Sequence, residues 1–260
     1  MCKGQKAMDI NELITFLDRY PLISACFSHY IRWLADQPLI EVQENDLISA
    51  LQKGDKKGLE GIETLLSRAR ETLALTVTEF RNIFGFSNDL LTVDPEKVHD
   101  VLAEPILVVH LAEHGFRKIR KVTRQHTPVA DFVAERTGRK YAIELKTIRM
   151  ENNPKPQPGK FIGNALIPYW WGEMFRNNII TKIEDKGRKV LSQLANTKSQ
   201  LGCDSTMLAL YSRRLSPSTL MDPEDYQTEL DTIKATYEEI DYIFFINYSG
   251  EVVVYPPLSA

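Results

Sequence analysis

Cysteine is scarce. The 260 residues hold three, Cys2, Cys26 and Cys203, spaced too widely for a disulfide framework or a thiolate zinc site. That usage suits a reducing compartment, and a cytoplasmic location is the expectation. Long apolar runs are missing too. None reaches the roughly 18 residues a membrane span needs, and the opening MCKGQKAMDINELI has no signal-peptide core. No membrane partner is expected. Internal repeats and low-complexity tracts are also lacking. The net charge is only −3, which gives no global pull toward nucleic acid or lipid.

What is present is ordinary in bulk and uneven in place. Apolar residues make up 43% and charged residues 26%, enough to bury a core without staples. Between Glu113 and Arg149 stand ten Lys/Arg against four Asp/Glu. Between Leu220 and Glu251 stand nine Asp/Glu against one Lys. Either these are two solvated faces, or one face meets an anion and the other does not.

The first part of the chain has helical periodicity. Asp9 is a candidate N-cap for DINELITFLDRY. Ile23, Cys26, Phe27, Tyr30, Ile31 and Leu34 repeat at helical spacing, as do Ile62, Leu65, Leu66, Ala69, Leu73, Val77, Phe80 and Ile83. Residues 1–95 therefore read as a helical region and 96–260 as a second domain. In the latter, VHDVLAEPILVVHLAEHGF predicts a helix kinked or restarted at Pro105 and stopped at Gly115. FRKIRKVTR, VADFVAER and KYAIELKTI follow as strands. The stretch 151–172, with four prolines and three glycines, predicts a long loop. A helix from about Met174 to Leu201, a strand STMLALYSRR, a helix from Asp222 and a hairpin turning near Ser249 and Gly250 complete the order. The fold class is α/β (α+β): a central mixed β-sheet flanked by helices, with an N-terminal helical region.

The chemistry-bearing stretch is DFVAERTGRKYAIELK, Asp131 to Lys146. A two-residue turn at Thr137-Gly138 pairs Arg136 with Arg139 and sets Asp131 opposite Glu144. Opposed residues on antiparallel strands share a face, and Lys146 points the same way as Glu144. Ala130, Phe132, Tyr141, Ile143 and Leu145 then form a core face. Two facing carboxylates repel and call for a cation. One is the Lys146 ammonium. The other is a hard divalent ion, held by Asp131, Glu144 and the backbone carbonyl of Leu145. The plain alternative is a solvated polar face carrying an ordinary ion pair.

The spacing D-x(12)-E-x-K, on strand–turn–strand after a helix and before a helix and strand, resembles the PD-(D/E)xK phosphodiesterase superfamily with its restriction-endonuclease-like fold. The resemblance covers about residues 98 to 215. It implies Asp131, Glu144 and Lys146 as catalytic residues. It implies Mg²⁺ as cofactor, with Mn²⁺ able to substitute, held by Asp131, Glu144, the Leu145 carbonyl and a helix carboxylate. Glu104 is preferred for that last place, with Glu113 as the other option. Two departures stand out: Pro105 beside Glu104, and no proline directly before Asp131. Gln193, Lys189 and Lys186 are candidates for an accessory group on the following helix, against a plain amphipathic face.

Arg117, Lys118, Arg120, Lys121 and Arg124 on the first strand, with Lys155 and Lys160 on the proline-rich stretch, are the expected phosphate contacts. The rival reading of the first strand is an edge guarded by charge. The expected function is a Mg²⁺-dependent endodeoxyribonuclease, of restriction or defence type by analogy alone, acting on DNA with RNA not excluded, as a homodimer. Two other classes compete with it. One is the same fold kept as a nucleic-acid-binding or assembly subunit without chemistry. The other is an unrelated α/β interaction protein in which the motif is accidental.

Overall fold

The computed structural model describes residues 15, 17–36, 55–86, 97–123, 127–148, 159–162, 165–168, 171–212, 223–247 and 250–258. The Asp9 cap, Cys2, Arg124 and Lys155 lie outside them. Two compact units divide the chain, Met1–Val109 and His110–Ala260. The division lies inside the helix Lys97–Glu113.

In the first unit, α1 (Pro21–Asp36), α2 (Lys56–Thr72) and α3 (Val77–Ile83) form a helical layer. Each start has a physical cause. Pro21 opens α1 in the turn that needs no N–H, and the Glu63 carboxylate accepts the next two N–H groups, from Leu22 at 2.9 Å and Ile23 at 2.8 Å. Asp55 caps α2 through Gly58 N–H, and Thr76 with Glu79 forms a capping box on α3. Phe27, Phe80, Phe84 and Phe86 cluster in the buried interior. Burial raises the Cys26 thiol to about 12, so it behaves as a small apolar side chain.

Helix α4 (Lys97–Glu113) leads into the second unit. Pro105 sits inside it, and the helix runs on past it, so the expected restart is not there. Its end is a Schellman motif. Phe116 N–H bonds Leu111 O at 3.0 Å, Gly115 N–H bonds Ala112 O at 3.1 Å, and Gly115 has φ +81°.

The sheet of the second unit is mixed and open. Its strands are β1 (Arg117–Lys121), β2 (Phe132–Arg136), β3 (Arg139–Ile148), β6 (Ser205–Ser212), β7 (Tyr242–Ile246) and β8 (Val252–Tyr255), adjacent in that order. β1–β2–β3 is an antiparallel meander, β3, β6 and β7 run parallel, and β8 returns antiparallel. β3 and β6 are therefore central, and β6 is buried along its whole length, as a parallel strand covered on both faces must be.

One face carries Ala142, Ile148, Leu208, Leu210 and Phe245. They pack on Phe175, Ile179, Val190, Leu191 and Leu194 of α5 (Trp171–Leu201) and on Leu230 and Ile233 of α6 (Pro223–Thr236). The other face holds edge-to-face rings, Phe116 on Tyr141 and on Phe244, with His114 against Phe244.

Three expectations are corrected. The proline-rich stretch is not all loop. β4 (Gly159–Ile162) pairs antiparallel with β5 (Ala165–Pro168), joined by Gly163-Asn164, a hairpin sequence signal. The short apolar runs Phe161-Ile162 and Leu166-Ile167 suit strands, and Pro168 stands at the end of the pairing. The following helix begins at Trp171 and is broken, with Lys186, Gly187 and Arg188 all left-handed. Glu184 spans the break, accepting from Arg188 Nε at 3.0 Å and from Tyr237 hydroxyl at 2.8 Å. Finally, β2 begins at Phe132 and not at Val129, because the preceding backbone is held by α5 side chains.

Candidate metal centre

The β2–β3 turn fixes the register of the site. Thr137 (φ 47°) and Gly138 (φ 78°) are both left-handed, the backbone of a type I′ hairpin turn whose twist matches the strands. Arg136 pairs with Arg139 and Phe132 with Ile143. One step further back, Asp131 stands beside Glu144, as the spacing predicts. The Leu145 N–H donates to Asp131 Oδ2 at 3.0 Å, and Val122 N–H donates to the Asp131 carbonyl at 2.8 Å. A strand residue directs its N–H and C=O to the same neighbour. The Leu145 carbonyl therefore also faces the edge where β2 has ended and Asp131 sits.

The polar-face alternative does not describe this site. Glu144 is 0% exposed and Asp131 9%. Glu144 and Lys146 pair with Leu208 and Leu210 of β6, so they lie on the face that α5 covers. Lys146 Nζ donates to Glu144 Oε1 at 2.5 Å. The Lys146 side chain stays 27% exposed while that of Glu144 is 1% exposed, so the ammonium stands between buried carboxylate and solvent. Among the described residues, no N–H or hydroxyl donor reaches the other oxygen, Glu144 Oε2, which is also buried.

The electrostatics follow from that geometry. Burial pushes the Glu144 carboxyl up first, and the Asp131 charge pushes it further. A carboxyl–carboxyl contact with Asp131 acts the same way, because only a shared proton makes such a contact favourable. Lys146 opposes these effects and does not overcome them, leaving Glu144 at about 8. At neutral pH the pair therefore holds either a proton or a compensating cation. A hard divalent ion fits this donor set: two carboxylates and a backbone carbonyl, one carboxylate oxygen lacking a donor among the described residues, with water completing the shell.

The remaining candidates fall in different places. Glu104 is half-buried in the first unit, whereas the carboxylate pair belongs to the second. Glu113 is exposed and engaged by His110 Nδ1 at 3.0 Å. Among the described residues no third His, Cys, Asp or Glu joins Asp131 and Glu144 in a metal-binding group. Gln193 is buried near the site's backbone. Its Nε2 donates to Val129 O at 2.9 Å, and its Oε1 has no hydrogen-bond partner among the described residues. Lys189 is exposed, and Lys186 lies in the helix break.

Of the basic residues, Arg117 and Arg120 are exposed on β1, an edge strand. Lys118 pairs with Glu135 at 2.7 Å, and Lys121 lies 5.9 Å from the Phe132 ring centre. Lys160 lies in β4, and its side chain is outside the described residues. Among the described residues no helix is long and apolar enough to cross a membrane. Comparison with family models, curated proteins and solved structures finds no match to the chain.

Proposed function

We propose that the chain is a divalent-metal-dependent phosphodiesterase of the PD-(D/E)xK type, an endonuclease acting on DNA. The observation that carries this reading is the buried Asp131–Glu144 pair, with Glu144 Oε2 lacking a donor among the described residues. Two carboxylates buried side by side call for a proton or a further cation, because Lys146 does not overcome their burial and mutual repulsion. The order of α4, the β1–β2–β3 meander, α5 and β6 parallel to β3 supports the restriction-endonuclease-like reading of the fold.

Asp131, Glu144 and the Leu145 carbonyl are the residues that would hold Mg²⁺, or Mn²⁺ in its place. Such an ion polarises a phosphoryl oxygen and lowers the pKa of a water when bound. The Leu145 N–H orients the Asp131 carboxylate. Lys146 holds Glu144 Oε1 and supplies positive charge where negative charge develops on the phosphoryl group. Arg117 and Arg120 supply exposed charge for the nucleic-acid backbone. Double-strand cleavage by a small nuclease calls for two such sites, hence a homodimer.

One observation favours the inactive-subunit reading: among the described residues no third acidic group or histidine completes the pair. Incubation with plasmid DNA, linear duplex and single-stranded RNA under Mg²⁺, Mn²⁺ or EDTA separates the two. The proposal expects metal-dependent cutting of DNA that disappears in Asp131→Ala/Lys146→Ala. DNA binding with metal-independent affinity and no cutting supports the other.

A further inference from the structure

Asp131 sits just outside regular strand pairing, and the segment before it is held from elsewhere. Four side chains of α5 reach it. Gln193 Nε2 donates to Val129 O at 2.9 Å and Asn196 Nδ2 to Pro128 O at 3.0 Å. Thr197 Oγ1 accepts from Ala130 N–H at 2.7 Å, and Gln200 Nε2 donates to Thr127 Oγ1 at 3.1 Å. Positions 193, 196, 197 and 200 follow the i, i+3, i+4, i+7 stripe of one helix face. They pair with residues 129, 128, 130 and 127, the first three through backbone atoms, so the helix does for this backbone what a neighbouring strand would otherwise do.

We propose that Thr197 is a positioning residue for the carboxylate of Asp131. Thr197 is 0% exposed and Ala130 1%, so the Ala130 N–H must find its partner inside the protein. The Thr197 hydroxyl is that partner, one residue from Asp131. Fixing the Ala130 amide fixes where the chain enters Asp131. That entry sets the carboxylate on the Leu145 N–H and beside Glu144. The polar stripe also explains why α5 presents glutamine, asparagine and threonine on a face otherwise pressed against the sheet.

The consequence for metal binding rests on the functional reading above; the consequence for Leu145 does not. Amide hydrogen exchange at Leu145, referenced to Ile143, reports the Asp131–Leu145 bond directly. Thr197→Val keeps shape and removes the hydroxyl. Its Leu145 protection should fall about tenfold and its Mn²⁺ affinity by about 10- to 100-fold, the range for loss of a group that orients a ligand. Thr197→Ser should restore both. A merely structural role would lower the melting temperature and leave Leu145 protection relative to Ile143 unchanged. That result in folded Thr197→Val overturns the proposal. If Thr197→Val does not fold, Asn196→Ala/Gln200→Ala, which alters only half-exposed and exposed side chains, carries the same exchange test with a smaller drop, about threefold. Failure of the wild type to bind Mn²⁺ overturns the phosphodiesterase reading and leaves the exchange result to decide the positioning role.

Discussion

Asp131 and Leu145 are joined by a 3.0 Å hydrogen bond from the Leu145 N–H to Asp131 Oδ2. The bond ties the first carboxylate to the strand that carries the second, between Glu144 and Lys146. It gives one oxygen of Asp131 a structural partner on the strand of its neighbour. Like charge is thereby concentrated at one buried point, and the behaviour of Glu144 follows.

Stability without metal should fall as pH rises through the neutral range. Glu144 goes from its ordinary 4.5 in the unfolded chain to about 8 in the fold. Between those values the folded state binds more protons than the unfolded state, so unfolding free energy declines with pH. A tenfold change in proton affinity corresponds to about 1.4 kcal/mol, so the decline totals a few kcal/mol. Urea unfolding from pH 5 to pH 8.5 in EDTA checks it. Glu144→Gln should flatten this part of the profile and be more stable than wild type at pH 8.5; an unchanged slope in that variant means the carboxyl does not titrate there.

The β2–β3 turn holds a β-branched residue in the left-handed region, with Thr137 at φ 47°. Asparagine tolerates that backbone, and Asn-Gly is the favoured pair in this turn. Thr137 is exposed, so Thr137→Asn should stabilise the hairpin by about 1 kcal/mol with metal affinity unchanged. Denaturant midpoints at constant slope measure the gain.

Arg117 and Arg120 should govern nucleic-acid affinity through charge alone. Removing one phosphate-neutralising side chain reduces the slope of log affinity against log salt by about 0.9 on duplex DNA. Arg117→Ala/Arg120→Ala should therefore bind duplex DNA more weakly at low salt, with a shallower salt dependence and undiminished Mn²⁺ binding. A slope equal to that of wild type would mark β1 as an edge guarded by charge.

Much of the site was legible in the sequence because its geometry is local. A two-residue turn fixes every pair behind it, so Thr137-Gly138 alone sets Asp131 beside Glu144. The stop of α4 at Gly115 has the same local character. What was not legible depends on distant partners. The burial of Glu144 comes from α5 lying across the face, and the unbroken apolar run Met207–Tyr211 was the one hint that the neighbouring strand is covered on both sides. The bonds from α5 to residues 127–130 span 64 to 73 residues, and a polar stripe on a helix does not say which distant segment it meets. Glu63 at the start of α1, 40 and 41 residues from its partners, is another case. The break in α5 has only Gly187 as a signal, and the bonds of Glu184 to Arg188 and Tyr237 that hold it are tertiary. Four prolines in the stretch 151–172 masked the eight residues that pair in β4 and β5.

On the proposed function, Asp131 and Glu144 are buried together because they hold a divalent ion. Isothermal calorimetry of Mn²⁺ binding at pH 7, in two buffers of different ionisation enthalpy, tests it most directly. Because Glu144 lies at about 8 without metal, the ion must displace a proton. One ion per chain is expected, with close to one proton released and loss of both in Asp131→Ala. A wild-type protein that binds no Mn²⁺, or binds it equally well in Asp131→Ala, contradicts it.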